Sequence, residues 1–119
     1  MKLNRIAAGV VALTTALALS ACGGSSGGSA SSEKTFAEGT TMARLADAGT
    51  IKIGTKFDQP LFGLAGPDGT PEGFDVEIGK IIADELGISA DKIQWVETVS
   101  QNREPFIQNG QVDIVVATY

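Results

Sequence analysis

Residues 100–110 read SQNREPFIQNG and are followed by the apolar run VDIVVAT at 112–118; together they decide how this chain folds. The run predicts a buried third strand from Val112 to Ala117, and the residues before it predict a short helix from Arg103 to Asn109 that a glycine ends. Arg103 therefore lies at a helix start, beside two strand ends. Unpaired backbone N–H groups and the helix dipole favour negative charge at such positions. The stretch predicts a site for a small anion.

The sequence upstream predicts two more strands and two more helices. We expect a helix from Thr41 to Ala48, a first strand from Thr50 to Thr55, a helix from Phe74 that Gly87 ends, and a second strand from Ile93 to Val99. Apart from the first helix, the order is βαβαβ. Such units are right-handed in almost all known proteins, so the first strand should lie between the second and the third, with all three parallel. The predicted fold class is α/β.

The long central helix and the loop before it have distinct patterns. Asp75 and Glu77 lie in the first turn of the helix, where the dipole favours acids. The loop from Lys56 to Gly73 contains a turn at 66–69 that is typical of a hairpin tip. The residues expected to form the apolar face of the helix are Phe74, Ile78, Ile81, Ile82 and Leu86. The loop residues expected to pack as a short covering strand or flap are Leu61, Phe62 and Leu64.

The parallel order places polar residues from three strand ends at one edge of the sheet. Lys56 follows the first strand, Ser100 the second and Thr118 the third. Arg103 begins the helix after the second strand. Two cations and two hydroxyl groups would then face one crevice, which suits a ligand with two separated carboxylates.

Each of these residues also has a purely structural interpretation. Ser100 can be the N-cap of a helix, and Lys56 can be a solvated loop lysine. Arg103 can be a surface cation, and Thr118 can simply end a buried strand. Asp58, in the loop after the first strand, can cap a turn or receive the ammonium group of a ligand.

The first residues predict export and a lipid anchor. Lys2 and Arg5 precede an apolar segment of about 14 residues, which is shorter than the roughly 18 to 20 that a membrane-spanning helix needs. Ser20 and Ala21 directly before Cys22 resemble the lipobox of bacterial lipoproteins. We therefore expect a signal peptide at 1–21, a lipidated Cys22 with a Gly/Ser-rich tether at 22–38, and a folded part at 39–119.

Charge and composition exclude several classes of protein. The chain has 9 basic and 14 acidic residues, and loss of the predicted signal peptide would remove two of the basic ones. Such an acidic balance argues against nucleic acid as a partner. The sequence has no histidine and a single cysteine, and no spacing matches a zinc, calcium or phosphate-loop site. We expect no catalytic residues, no metal and no cofactor.

Several ordered motifs resemble one family. GFDV at 73–76, SQNR at 100–103, the Pro105-Phe106 pair, Asn109-Gly110 and VDI at 112–114 are similar to the family 3 extracellular solute-binding proteins of polar amino-acid ABC importers. Within that family, SQNR is most like the glutamate and aspartate binders. The resemblance covers roughly Gly49 to Tyr119.

The resemblance implies a fold and four ligand-binding residues. It implies a periplasmic-binding-protein-like lobe, incomplete, with only the first part of lobe 1 in an N-terminal fragment. Residues matching Arg103, Ser100 and Thr118 belong to the ligand pocket of such proteins, and a cation matching Lys56 reaches the acidic side chain of the ligand. Lys56 departs from the arginine of the glutamate and aspartate binders, so glutamate, glutamine and aspartate stay open as ligands. Because these proteins close two lobes around the ligand, the 119-residue chain alone is expected to bind glutamate weakly or not at all.

The function that the resemblance implies is transport. The chain would be a monomeric, lipid-anchored receptor on the outer face of the cell membrane, and it would deliver an acidic or polar amino acid, with L-glutamate first, to an ABC permease. One alternative is the substrate-recognition module of a secreted lipoprotein enzyme such as a lytic transglycosylase. Another is the sensor domain of a signalling receptor, which a lipid anchor without a transmembrane helix does not favour.

Overall fold

The computed structural model describes residues 34–119. The predicted signal peptide, Cys22 and most of the predicted tether lie outside the described residues. Within 34–119, no helix is long and apolar enough to cross a bilayer. The described end of the predicted tether contacts the fold, since Phe36 packs against the core and Lys34 forms an ion pair with Glu85.

The described residues form three α-helices, six strands and two short 3-10 turns. The helices are α1 (Thr41–Ala48), α2 (Phe74–Glu85) and α3 (Arg103–Gln108). The strands are β1 (Ile51–Thr55), β2 (Asp58–Gln59), β3 (Gly63–Ala65), β4 (Pro71–Glu72), β5 (Ile93–Glu97) and β6 (Ile114–Val115). The 3-10 turns are Ala90–Lys92 and Ser100–Asn102.

The main sheet has the predicted order, β5-β1-β6, with both pairings parallel. Five residue pairs join β1 to β5, from Ile51 opposite Ile93 to Thr55 opposite Glu97. The two pairs between β1 and β6 join Ile53 to Ile114 and Gly54 to Val115. The predicted α/β class with a parallel βαβαβ sheet is confirmed.

The second and third strands are shorter than predicted. We expected strands to Val99 and from Val112 to Ala117, whereas β5 ends at Glu97 and β6 has two residues. At their carboxyl ends both strands are limited by β1, which is five residues long and ends at Thr55. Single bonds continue the ladders beyond the strands, from Thr98 N–H to Thr55 O at 2.8 Å and from Val116 N–H to Gly54 O at 2.9 Å. Residues past these bonds have no ladder partner on β1.

At the amino end of the sheet, Asp113 joins β1 to α1. Its carboxylate accepts hydrogen bonds from the Lys52 N–H at 2.9 Å and from Arg44 Nη2 at 3.1 Å. The Asp113 N–H donates to Lys52 O at 2.9 Å. Helix α1 itself begins as predicted, because Thr40 Oγ1 accepts the Ala43 N–H at 3.2 Å. Asp113 therefore satisfies polar groups from two elements at this end of the sheet.

The core lies between one face of the main sheet and the first two helices. Helix α1 contributes Leu45, and α2 contributes Ala83. The buried members of this cluster are Leu45, Ile51, Ile53, Ala83, Leu86, Ile88 and Ile93. Side chains on one face of β1, two residues apart, thus contact both helices.

The buried face of α2 differs from the predicted one. Phe74 and Ile81 are 61% and 58% exposed, although helical spacing placed both on the apolar face. The face of α2 that is buried instead includes Val76, Gly79 and Ala83. Small side chains face the sheet because the helix lies very close to it: a Cβ at Gly79 would be 2.7 Å from Trp95 Cη2. A spacing rule that counts only large apolar residues misses such a contact.

Replacing Gly79 with alanine is expected to destabilise the protein despite the better helix propensity of alanine. The added methyl would force the Trp95 ring to move, at about 1 to 3 kcal/mol, against a gain of about 1 kcal/mol for removing a mid-helix glycine. The net loss in the free energy of unfolding, measured by urea denaturation, should be about 1 kcal/mol. In a Trp95→Phe background the ring no longer reaches this methyl, so Gly79→Ala should become neutral or stabilising. Equal losses in both backgrounds would contradict the contact.

Strands β2, β3 and β4 follow β1 and precede α2 in the chain, and they form a separate antiparallel sheet. The turn at its tip closes with the Gly69 N–H bonded to Gly66 O at 2.9 Å. The pKa of the Asp68 carboxyl lies below its usual value because Thr70 donates two hydrogen bonds to it. The bond from the Thr70 backbone N–H has the larger effect, and the bond from its hydroxyl has the smaller one. The predicted flap is therefore a small hairpin sheet. Leu61 and Leu64 do not pack beneath it, because Leu61 is 84% exposed and Leu64 is also exposed.

Candidate functional site

The carboxyl edge of the main sheet gathers the predicted site residues from three strands. Lys56 directly follows β1, Ser100 lies three residues after β5, and Thr118 lies three residues after β6. Because the three strands are parallel, their carboxyl ends meet at this edge. Arg103 is the first residue of α3. The ligand-binding role of these residues stays a prediction.

Arg103 and Thr118 are in direct contact. Arg103 is only 7% exposed, and its Nη2 donates a hydrogen bond to the backbone oxygen of Thr118. Two polar atoms of the pair, Arg103 Nε and Thr118 Oγ1, are buried and have no hydrogen-bond partner among residues 34–119. Buried polar atoms in proteins are nearly always hydrogen-bonded. Both atoms can donate, so the pair offers two donors suited to an anionic acceptor.

The face of the Arg103 guanidinium is covered by an aromatic ring. Its Cζ lies 4.6 Å from the centroid of the Tyr119 ring. Such a cation–π contact leaves the planar edge of the group, where its N–H bonds point, as the route for an acceptor. The Nε–H points along this edge but is itself buried in this structure, so a carboxylate bonds it only once the residues that cover it move aside.

Lys56 and Ser100 do not join this pair directly. Lys56 Nζ lies 3.7 Å from an oxygen of Asp58, so the loop aspartate already faces a cation. Ser100 begins the 3-10 turn that precedes α3, and neither this turn nor α3 has a side-chain cap. Ser100 is therefore not a helix N-cap: Val99 precedes the 3-10 turn that contains it, and Asn102 precedes α3. Among the described residues, no hydrogen bond or ion pair links Lys56 or Ser100 to Arg103 or Thr118.

The structure adds two residues to this edge that sequence reasoning missed. Asp75 is only 7% exposed, and its Oδ2 accepts the Thr118 N–H at 2.9 Å. Thr55 is fully buried, and its Oγ1 has no partner among the described residues. The sequence explains an acid at position 75 by the dipole of α2 alone, so the contact between Asp75 and Thr118 was not predicted. One signal was visible for Thr55: a threonine stands at the end of each parallel strand or within three residues of it, at positions 55, 98 and 118.

The chemistry of this edge is that of anion recognition. Its donors are a guanidinium, an ammonium and hydroxyl groups. In the part of the chain that the structure describes, no three His, Cys, Asp or Glu side chains lie close enough together to hold a metal ion. Such donors are the groups that bind carboxylates in proteins, and two carboxylates of the chain already contact this edge, Asp75 at Thr118 and Asp58 at Lys56.

A family comparison agrees with this fold. The sequence model of the bacterial extracellular solute-binding proteins, family 3, matches residues 51–119. The match begins at the first residue of β1 and includes the flap, both crossover helices and all four predicted ligand-binding residues.

Individual proteins are similar over most of the chain. Glutamate-binding protein GluB of Corynebacterium glutamicum is 41% identical over 118 residues, which cover 93% of this chain and 36% of that protein. The ABC transporter glutamine-binding protein GlnH of Bacillus subtilis is 40% identical over 111 residues, which cover 92% of this chain and 40% of that protein. The crystal structure of the solute receptor for L-cysteine of Neisseria gonorrhoeae superposes with a TM-score of 0.62 at 39% identity, over 67% of this chain and 32% of the receptor. This chain thus spans about a third of the length of the proteins that it resembles.

Proposed function

Because this chain belongs to the bacterial extracellular solute-binding proteins of family 3, we propose that it is part of the substrate-binding component of an ABC importer for an acidic or polar amino acid. L-glutamate is the first candidate. The two relatives reported above are named for glutamate and for glutamine, which supports this class of ligand. The described residues supply part of one lobe, and the ligand would bind at the carboxyl edge of its parallel sheet.

The observation that carries the proposal is the contact between Arg103 and Thr118. Arg103 would hold the α-carboxylate of the amino acid with its Nε–H, while the Thr118 hydroxyl would donate a second bond to the same group. Hydrogen bonds between a guanidinium and a carboxylate are about twice as strong as neutral ones. Because Arg103 is already buried, its water has been removed before the ligand arrives, and this strengthens the attraction.

Lys56 would meet the side chain of the ligand, and Ser100 would share the α-carboxylate. The ammonium group of Lys56 can attract the carboxylate of glutamate more strongly than the amide of glutamine. Asp58, 3.7 Å from that ammonium, must move or be displaced when an acidic side chain binds. Glutamate is therefore proposed over glutamine, with aspartate requiring Lys56 to reach further.

The wider role follows from family membership and from the first residues of the sequence. We propose an exported protein that is held by lipid on Cys22 at the outer face of the cell membrane and that passes its ligand to permease subunits without chemical change. Incorporation of a labelled fatty acid, lost on Cys22→Ser, tests the anchor. Closure of a second lobe over the carboxyl edge would complete the site.

A thermal-shift assay on the full-length protein tests the function, where full-length means this chain with whatever sequence follows Tyr119 in its gene. A ligand at 100 times its dissociation constant adds about 2.7 kcal/mol to native stability, which raises the melting temperature by several degrees. Against a panel of amino acids we expect glutamate to give the largest shift and glutamine a smaller one. D-glutamate is the matched control, since it carries the same charges in a different arrangement. A panel in which no amino acid shifts the melting temperature would contradict the proposal.

A further inference from the structure

The backbone of Thr118 is held from both sides by side chains of opposite charge. Its N–H donates to Asp75 Oδ2 at 2.9 Å, and its carbonyl oxygen accepts from Arg103 Nη2. One residue thus connects the first turn of α2 with the first turn of α3. These two bonds together hold the backbone of Thr118 in place, and with it the point from which its side chain extends.

Asp75 is well placed to be the rigid member of this chain of contacts. It is the second residue of α2, and its own N–H donates to Phe62 O at 3.0 Å. The neighbouring Phe74 N–H donates to Leu61 O at 2.8 Å, so the flap backbone satisfies the start of the helix. The helix dipole favours a carboxylate at this position. Asp75 is held by a helix and a flap, whereas Thr118 lies beyond the last residue of β6.

We infer that Asp75 is a positioning residue of the ligand site, an inference that rests on the proposed function. Its carboxylate holds Thr118 so that the hydroxyl of Thr118 and the Nε–H of Arg103 converge on one ligand group. Without this acceptor the partly buried Thr118 N–H loses its partner, and the residues after β6 move to find another. Both the hydroxyl and the carbonyl that anchors Arg103 move with it. Asp75 acts through these groups and has no contact with the ligand.

The test compares Asp75 with the other acid in the same helical turn. Asp75→Ser keeps a polar group at the helix start but is too short to reach the Thr118 N–H, whereas Asp75→Asn keeps an acceptor oxygen at the original distance. Glu77→Gln is the matched control, because Glu77 is exposed and bonds Lys80 at 2.7 Å rather than the strand end. Each variant is made in the full-length protein. The readouts are the dissociation constant of glutamate by calorimetry, the melting temperature, and the exchange rate of the Thr118 amide by NMR.

We expect Asp75→Ser to weaken glutamate binding about tenfold, the effect of taking a charged acceptor from a partly buried donor, and to speed exchange of the Thr118 amide at least as much. Asp75→Asn should bind within about threefold of the wild type, and Glu77→Gln should bind unchanged. A merely structural role would lower the melting temperature of Asp75→Ser and leave the affinity of the folded protein intact, which would overturn the inference.

Two further outcomes are also decisive. Should Asp75→Ser be too unstable to assay, Asp75→Asn decides alone, because its neutral oxygen accepts the Thr118 N–H more weakly: faster exchange of the Thr118 amide with a parallel loss of affinity supports the inference, and any other combination overturns it. If the wild type binds no amino acid of the panel, the proposed function fails and this inference fails with it. If the wild type binds and Asp75→Ser binds equally well, only the role of Asp75 is wrong.

Discussion

Replacing Arg103 with alanine in the full-length protein is expected to weaken amino-acid binding by about 2 to 5 kcal/mol, the usual effect of removing one partner from a buried, hydrogen-bonded charge pair. The guanidinium is buried, its Nε–H has no partner among the described residues, and it holds the Thr118 backbone. Its loss would leave the ligand carboxylate without its main counter-charge and would release Thr118. Titration calorimetry with glutamate measures the change.

Two variants make this result specific. Arg44→Ala removes an exposed arginine at the amino end of the sheet, where its partner is Asp113, and should leave the affinity unchanged. Arg103→Lys keeps the positive charge but loses the planar group of donors, and its affinity should fall between those of the wild type and Arg103→Ala. An Arg103→Ala protein that is folded and binds as tightly as the wild type would remove Arg103 from the site.

Replacing Gly73 with alanine is expected to lower the free energy of unfolding by about 3 to 5 kcal/mol, because backbone strain and a steric clash act together. Gly73 precedes α2 with φ of 135° and ψ of −176°, a region that only glycine adopts readily. A Cβ there would overlap the carbonyl oxygen of Phe62 and lie 2.9 Å from the carbonyl carbon of Leu61. Backbone atoms cannot rotate away as a side chain can, and these two carbonyls also accept the first N–H groups of the helix.

Gly69→Ala separates the two causes. Gly69 also has a positive φ, of 78°, but nothing lies within 4 Å of a Cβ built there. Its replacement should cost only the strain, about 1 kcal/mol. Urea denaturation of the two variants measures both values. If the loss for Gly73→Ala were no larger than that for Gly69→Ala, the clash with the flap backbone would not exist.

The sequence was sufficient for the parts of the fold that depend on local patterns. The strand order could be predicted because three strand-forming segments alternate with helices and because crossovers have a fixed hand. The place of Arg103 could be predicted as well, since a strand end and a glycine-terminated segment bracket it. Helix α1 matched to the residue, because Thr40 and Gly49 are strong signals for its ends.

The remainder depended on distances that no local pattern contains. Ile81 fits the helical spacing but is exposed. Gly79 instead faces Trp95, because the helix lies too close to that ring for a larger side chain. Asp75 had an adequate local explanation, and its bond to Thr118 joins residues 43 positions apart in the chain. Strands β2 and β4 have two residues each, too few to show an alternation.

The two ends of the main sheet differ in how well their polar groups are satisfied. At the amino end, the Asp113 carboxylate accepts bonds from a backbone amide and a guanidinium. At the carboxyl end, Thr55, Arg103 and Thr118 each keep a buried polar atom without a partner among the described residues. Each such atom costs about 1 to 3 kcal/mol, against a total margin of about 5 to 15 kcal/mol for a typical protein. The unsatisfied polar atoms of the main sheet are thus concentrated at its carboxyl end, so a ligand that bonds them, as proposed above, would also stabilise the fold.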